Sequence, residues 1–371
     1  MDLGFSAEQD MLRRSVAEFL AKECPFEKVK ELEESDTGYD PKLWKKMVEL
    51  GWLECFFPEE YGGDGGPFMD LIIIMEEIGK AAYPSPLFST VIQCGWTILE
   101  GGSEEQKKAL LSKIARGKLI IALAQYEEEA GYLASEINTP ARLTGDEYVL
   151  NGTKMFVVDA NIADNLIVVA RADEGTTLFL VDTKDAGVSC TKMPTIAMDN
   201  TCEVIFKDVK VSKENVIGSP GKGWEILEKV SQKAVVAKCA EMLGGCQACI
   251  DMTADYAKKR VQYGKPIGGY QIIQHYMANM LLGYDTTINY LYKTAWMIDE
   301  GMDVARESSA LKARVNEQNK FITERGIQIH GAVGTTREFD VALFFRRAKS
   351  NEFMLGDTDY HHEKVAQALG L

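Results

Sequence analysis

Arg260-Val261-Gln262-Tyr263-Gly264-Lys265-Pro266-Ile267-Gly268-Gly269-Tyr270-Gln271 stands between two long helical runs, so a glycine-broken turn carries a fixed cation between two helices. Arg260 is permanently charged and presents a planar fork of donors that suits paired phosphate or pyrophosphate oxygens. Tyr263 adds an aromatic face, and Gly264, Gly268 and Gly269 let a backbone approach a ligand closely. The same residue types also describe a helix C-terminus finished with basic residues that complement the helix dipole. On residue types alone that plainer reading is favoured.

Outward from this stretch, the pattern divides into three blocks. Residues 222–371 are long helical runs, broken at Gly264–Gly269, Gly301 and Gly331–Gly334. Residues 120–221 have period two and β-branched enrichment, with short strands expected at Val149–Asn151, Met155–Val158, Leu166–Ala170, Thr177–Val181, Val188–Lys192 and Thr201–Phe206. Gly145-Asp146, Asn151-Gly152, Glu174-Gly175 and Asn200 punctuate them as turns. Residues 1–119 are again helical, with capping boxes at Ser6-x-x-Gln9 and Ser103-x-x-Gln106 and a helix start at Asp40-Pro41. Helices, strands and helices in separate runs predict an α+β multi-domain chain: a helical N-terminal domain, a middle β-barrel or sandwich, and a C-terminal helical domain. No G-x-G-x-x-G follows a strand and opens a helix, so a Rossmann site is not expected.

With 371 residues, 46% apolar and 26% charged, the chain has ordinary globular composition. Its net charge of −15 argues against a general nucleic-acid binder, and any polyanionic ligand needs a local basic pocket. The N-terminal stretch from Met1 to Gln9 lacks a signal-peptide pattern, and no run reaches the ~18 to 20 apolar residues of a membrane span. Eight cysteines spread over this length read as reduced thiols in a cytoplasm. Cys246 and Cys249 form a C-x-x-C in mid-helix with no second pair, which reads as buried packing, not metal binding. No metal site is expected.

The opening stretch resembles the R-x-x-F-G-K-x-x-x-x-x-Q segment of the acyl-CoA dehydrogenase family, and the similarity extends over the whole chain. The N-terminal block, with Pro58-Glu59-Glu60-Tyr61-Gly62-Gly63-Asp64-Gly65, resembles the family's helical domain. The resemblance implies a C-terminal four-helix bundle, FAD held across a subunit interface of a tetramer, an acyl-CoA thioester as substrate, and electron-transferring flavoprotein as acceptor. A carboxylate there removes the α-proton while the β-hydrogen leaves as hydride to the flavin.

The resemblance implies that the phosphate-holding half of the site is present: Arg260, Tyr263 and Gln271, with Gln328, Gly331 and Ala332 from Gln328-Ile329-His330-Gly331-Ala332-Val333-Gly334, and Thr358 further on. His330 reads as a turn histidine satisfied by backbone. The flavin-ring half departs from the family pattern. T-E-P-x-A-G-S is replaced by Tyr126-Glu127-Glu128-Glu129-Ala130-Gly131-Tyr132, and three consecutive carboxylates would sit badly beside a pyrophosphate. K-x-W-I-T is replaced by Lys154-Met155-Phe156-Val157-Val158, and Val158 cannot donate the hydroxyl hydrogen bond of that threonine.

The family's catalytic glutamate is also replaced. Counting from Arg346-Arg347-Ala348-Lys349 puts Leu355 at its position, and aligning on Thr358 puts Gly356 there. The alternative position, on the helix ahead of Arg260, falls on Ala234, followed by Val235. Candidate replacements are Asp357, Asp359 and Glu241, although both aspartates read more simply as turn residues. His361 and His362 read as a solvated pair opening a C-terminal helix. The expectation is a heteromer in which this chain supplies the FAD-pyrophosphate half and a homologous subunit supplies ring pocket and base. Alternatives are an autonomous homotetramer using Asp357 or Glu241, and a flavin-free binding or scaffold protein.

Overall fold

The computed structural model describes residues 4–129 and 131–371; Met1–Leu3 of the N-terminal stretch and Ala130 of the Tyr126–Tyr132 segment lie outside the described residues. The N-terminal helices are α1 (Ala7–Glu23), α2 (Phe26–Glu34), α3 (Pro41–Glu49), α4 (Phe68–Lys80), α5 (Trp96–Gly101) and α6 (Glu104–Ala115). Ser6 and Ser103 each accept from the backbone of the glutamine three residues on, and Gln9 and Gln106 reach back to the cap N–H groups at 3.1 and 2.9 Å. Asp40 caps α3, with Pro41 in its first turn. Ahead of α5 runs a π-helical segment, Leu87–Gly95, that periodicity did not signal. It is apolar nearly all round, and its hydroxyls bond inward: Thr90 Oγ1 donates to Ile121 O at 3.1 Å and Ser89 Oγ to Asp159 Oδ2 at 2.6 Å.

The middle of the chain forms β1 (Ile121–Ala124), β2 (Ala141–Thr144), β3 (Glu147–Val158), β4 (Asn165–Ala172), β5 (Gly175–Asp182), β6 (Val188–Lys192), β7 (Thr201–Ser212) and β8 (Val216–Ile217). They make two four-stranded sheets, ordered β1-β4-β5-β8 and β2-β3-β7-β6. Among these described strands only β1 and β4 pair in parallel. Tyr148, Leu150, Val168, Phe179, Phe206 and Val209 belong to their common core. Asn151-Gly152 is not a turn. β3 runs through it with a register irregularity between Leu150 and Gly152, which takes φ +149°. The Asn151 amide pairs sideways with Asp208, donating to Oδ1 at 3.1 Å and accepting from the backbone N–H at 2.9 Å.

The C-terminal block is α7 (Gly223–Lys259), a hairpin of β9 (Val261–Gln262) and β10 (Lys265–Pro266), then α8 (Gln271–Asp299), α9 (Ala305–His330), α10 (Val341–Phe353) and α11 (Thr358–Ala368). α9 packs against α8, α10 and α11.

Two compact units interleave along the sequence: Met1–Glu31 with Pro67–Tyr83 and Val235–Leu371, and Leu32–Gly66 with Pro84–Ala234. In the first, α1, α4 and α8 meet at wholly buried Glu76, which accepts from Arg13 Nη2 at 2.9 Å and Tyr292 OH at 3.0 Å. There α4 and α7 touch backbone to backbone. A methyl group at Gly79 would lie 1.9 Å from Glu241 O, and one at Gly244 would lie 2.0 Å from Glu76 O. Among the described residues no helix is long and apolar enough to cross a membrane, and no group of His, Cys, Asp or Glu could hold a metal ion.

Candidate functional site

α7 ends at Lys259, and the Arg260 N–H still bonds back to Tyr256 O at 2.8 Å. The chain then turns through a two-residue hairpin with Tyr263 at φ +50° and Gly264 at φ +83°. Both signs are those of a type I′ turn, which glycine accepts freely and tyrosine adopts only at a cost. Lys265 and Tyr270 brace the turn: Lys265 Nζ donates to Gly269 O at 2.9 Å and lies 4.3 Å from the Tyr270 ring centroid, and Tyr270 OH donates to Gln262 O at 2.9 Å. The bracing leaves Arg260 and Tyr263 exposed, the tyrosine at 96%. The Arg260 guanidinium has no partner among the described residues.

Tyr256, near the end of α7, meets the end of α9 beside this hairpin. The Tyr256 ring stacks on His330 with centroids 4.2 Å apart, and Tyr256 OH donates to His330 O at 3.4 Å. His330 Nδ1 lies 2.8 Å from Gly326 O, so the buried imidazole is satisfied by backbone as expected. Burial holds its pKa below the usual histidine range. Gly331 closes α9 at φ +69° with open space where a side chain would be, and Gln328, Gly331 and Ala332 are exposed. Arg260, Tyr263, Gln271, Gln328, Gly331 and Ala332 therefore gather at one end of the helices. Thr358 does not join them. It opens α11 beside Lys312, which lies eighteen residues before His330 on α9, about 27 Å along the helix axis.

At that distant end the loop from α10 to α11 is tightly organised. Lys312 is wholly buried and donates to Asn316 Oδ1 at 2.6 Å and Asn351 O at 2.8 Å. Burial pushes it down to about 8. Asp357 caps α11, accepting from Tyr360 N at 2.9 Å, which is the turn role read from sequence. The expected solvated pair His361 and His362 needs correction: His362 is exposed, but His361 is buried at 3% exposure with Nε2 3.0 Å from Leu355 O. Adjacent residues on a helix face directions about 100° apart, so one can enter the core while the other stays in water. Glu241 is held in an ion pair with Lys238 at 2.5 Å. Ala234 and Val235 are buried apolar side chains. Cys239, Cys246 and Cys249 are wholly buried in α7, where burial pushes the Cys249 thiol up to about 12.

In the β-sandwich, Glu127 parts from Glu128 and Glu129. It turns inward, accepting from Lys154 Nζ at 2.7 Å, Thr139 Oγ1 at 2.7 Å, Thr139 N at 2.9 Å and Asn138 N at 3.0 Å. Burial opposes its charge, but the Lys154 contact and the Thr139 donors prevail and hold it below the usual carboxylate range. Lys154 is itself wholly buried, is pushed down to about 8 by burial, and also donates to Gln125 O at 3.0 Å. Glu128 and Glu129 remain exposed. Next to this pair the Tyr126 and Tyr132 rings meet edge to face, centroids 6.0 Å apart and planes at 90°. Phe156 sits in a second irregularity of β3 with φ +56° and is 47% exposed. Val158 pairs with Thr201 and has no polar side-chain atom to offer.

Family models for the N-terminal, middle and C-terminal domains of acyl-CoA dehydrogenase match residues 6–118, 122–209 and 221–370. The chain belongs to the acyl-CoA dehydrogenase family. It is therefore a flavoprotein oxidoreductase whose cofactor is FAD. The probable acyl-CoA dehydrogenase YngJ of Bacillus subtilis is 32% identical over 383 residues, covering all of both chains. The caffeyl-CoA reductase-Etf complex subunit CarC of Acetobacterium woodii is 31% identical over 353 residues, 92% of this chain and 93% of that one. The solved butyryl-CoA dehydrogenase of Megasphaera elsdenii superposes with a TM-score of 0.91 at 29% identity, covering both chains fully.

Proposed function

We propose that this chain is one subunit of a heteromeric acyl-CoA dehydrogenase, contributing the FAD-pyrophosphate half of a site whose ring pocket and base come from a homologous partner in an α2β2 assembly. The reading rests on Leu355. Gly356 sits at φ +111°, and a methyl group there would lie 2.4 Å from Tyr360 Cδ1 and 2.7 Å from His361 Nε2. Only glycine fits, which favours equating Gly356 with the glycine that follows the family's catalytic glutamate. Leu355 then stands in the glutamate's place, and a hydrocarbon side chain cannot accept the α-proton.

The donor sets of the two half-sites differ in the same sense. Arg260, Tyr263, Gln271, Gln328, Gly331 and Ala332 fit a pyrophosphate and adenosine: a free guanidinium, an exposed aromatic face, two exposed amides and an open backbone turn. Thr358 would serve a different part of the cofactor, given its place at the other end of α9. Around the ring position the fit is poor, since Val158 donates nothing and Tyr126 packs on Tyr132. When bound, FAD would supply the hydride acceptor for oxidising the Cα–Cβ bond of an acyl-CoA or, in its reduced form, the hydride donor for the reverse reduction. This chain's residues bind and orient it.

An autonomous enzyme using Asp357 or Glu241 is less well supported. Asp357 is committed to a helix cap and Glu241 to Lys238. A flavin-free scaffold leaves the unpartnered Arg260 and the strained, exposed Tyr263 without a purpose. Electron exchange with an electron-transferring flavoprotein is the matching redox link, as CarC belongs to a complex with such a protein.

The test is purification of this chain alone and with a homologous subunit. A colourless chain that forms a yellow complex with about one FAD per pair, active on acyl-CoA, is expected. Full FAD loading and turnover by the pure homomer would sink the proposal.

A further inference from the structure

Cys190 is the one exposed thiol of the eight cysteines. It lies in β6, the edge strand of its sheet, between exposed Ser189 and Thr191. The ladder pairs Cys190 with Val204 and Lys192 with Cys202, so the two cysteines are diagonal neighbours on one face. The interaction between the two thiols raises the Cys190 pKa and lowers that of Cys202. It favours a thiolate at Cys202; burial and the Asp159 charge oppose it, and the backbone N–H of Asn161 and the Lys192 charge assist it.

We propose that Cys190 and Cys202 form a redox-responsive thiol pair, which closes to an intrachain disulfide when the folded protein meets a low-molecular-weight disulfide such as oxidised glutathione. The reaction starts at the reachable sulfur. Cys190 passes its proton to the neighbouring Cys202 thiolate and attacks one sulfur of the oxidant, whose S–S bond breaks and releases one glutathione thiolate. Cys202 then attacks the Cys190 sulfur of the mixed disulfide and expels the second. The two protein thiols give up two electrons and two protons, and the oxidant ends as two thiols. Diagonal Cα atoms are about 7–8 Å apart in a regular ladder, beyond the usual disulfide span of about 4.4–6.8 Å. Closure therefore requires a shift of about 1 Å. β6 has a neighbour on only one side and is the strand free to make it. Cys202 stands opposite Val157 of β3, so the cross-link would tie the edge strand to the sheet beside the Phe156 irregularity.

The test treats the folded full-length chain with oxidised glutathione, alkylates the remaining thiols and maps peptides without reductant. The expected result is two fewer alkylated cysteines and a Cys190–Cys202 link that dithiothreitol reverses. Cys190→Ser should abolish the link, and Cys202→Ala should stop at a glutathione adduct on Cys190. Because Cys202 is buried, the Cys190→Ser variant, at an exposed position, keeps the test independent of folding defects. A wild-type chain in which both cysteines still alkylate, or in which only the Cys190 adduct accumulates, would overturn the proposal.

Discussion

His361 Nε2 lies 3.0 Å from the carbonyl oxygen of Leu355, so a buried imidazole fixes the loop that precedes α11. Burial, helped by the nearby Lys312 charge, pushes this histidine down to about 4, whereas the unfolded chain titrates near 6.5. Between those values the unfolded state binds the extra proton, so stability is complete above about pH 6.5 and is lost as pH falls toward about 4. The full contribution is about 3 kcal/mol. His361→Gln keeps a donor for Leu355 O but cannot charge. Denaturant midpoints taken from about pH 4.5 to 7 should fall less steeply with acid in the variant than in the parent. Parallel curves would show that His361 is not the titrating group.

Gly79 and Gly244 make the opposite case to an ordinary helical glycine. Alanine in a helix interior is usually worth about 1 kcal/mol over glycine. Here the added methyl would meet Glu241 O or Glu76 O at 1.9–2.0 Å, and neither backbone can rotate away. Gly79→Ala and Gly244→Ala should each destabilise the protein by about 2 kcal/mol or more. Gly245→Ala meets Phe344 at 3.3 Å and should be near neutral or stabilising. Thermal unfolding of the three variants distinguishes a backbone contact from a propensity effect.

The ion pair of Lys154 and Glu127 ties β3 to the loop after β1. Lys154→Met would leave Glu127 its bonds from Thr139 and Asn138 but remove the buried positive charge. Loss of about 3 kcal/mol is expected, since an orphaned buried charge costs more than the intact pair contributes. The check is chemical denaturation of the variant. A change below about 0.5 kcal/mol would mean that the pair is solvated in practice.

Local chemistry was the legible part of this fold. Ser6, Asp40 and Ser103 announced helix starts because capping is settled within four residues. The alternation in 120–221 announced a two-faced sheet. The misreadings concern partners distant in sequence. Glu127–Glu129 reads as three carboxylates together until Lys154 of β3 draws Glu127 inward, and Asn151-Gly152 reads as a turn until Asp208 lies alongside. The segment Leu87–Gly95 is buried nearly all round, so no one-sided apolar stripe marks its π-helical winding. In the proposed site, Arg260, Gln271 and Gln328 are named because they match the resembled family's motifs. That Thr358 lies at the far end of α9 depends on helix packing, which no spacing encodes.

Asp357 separates the two enzymatic readings cleanly. Asparagine caps a helix as well as aspartate does, so Asp357→Asn should leave stability within about 0.5 kcal/mol. In a heteromer whose base lies in the partner, turnover of the complex should then be unchanged. If Asp357 were the base, the same variant would retain its flavin and lose turnover by orders of magnitude. The measurement is steady-state activity alongside the visible spectrum of the same preparation.

Arg260 tests the half-site itself. Its guanidinium is exposed and makes no bond that holds the fold, so Arg260→Ala should leave the melting temperature essentially unchanged. A charge-assisted hydrogen bond to phosphate contributes about 1.5–3 kcal/mol, so flavin affinity of the assembled complex should weaken roughly ten- to hundredfold. Arg260→Lys retains the charge but not the paired donors and should fall between the two. Flavin retention during dialysis, followed by absorbance and by titration back to saturation, reads the effect. Because the residue is proposed to bind the cofactor and not to act on the substrate, turnover per bound flavin should be preserved at saturation. A variant that binds FAD normally would remove Arg260 from the site and leave the hairpin as a basic helix end. A variant that binds FAD but is slow per flavin would place Arg260 in the chemistry instead.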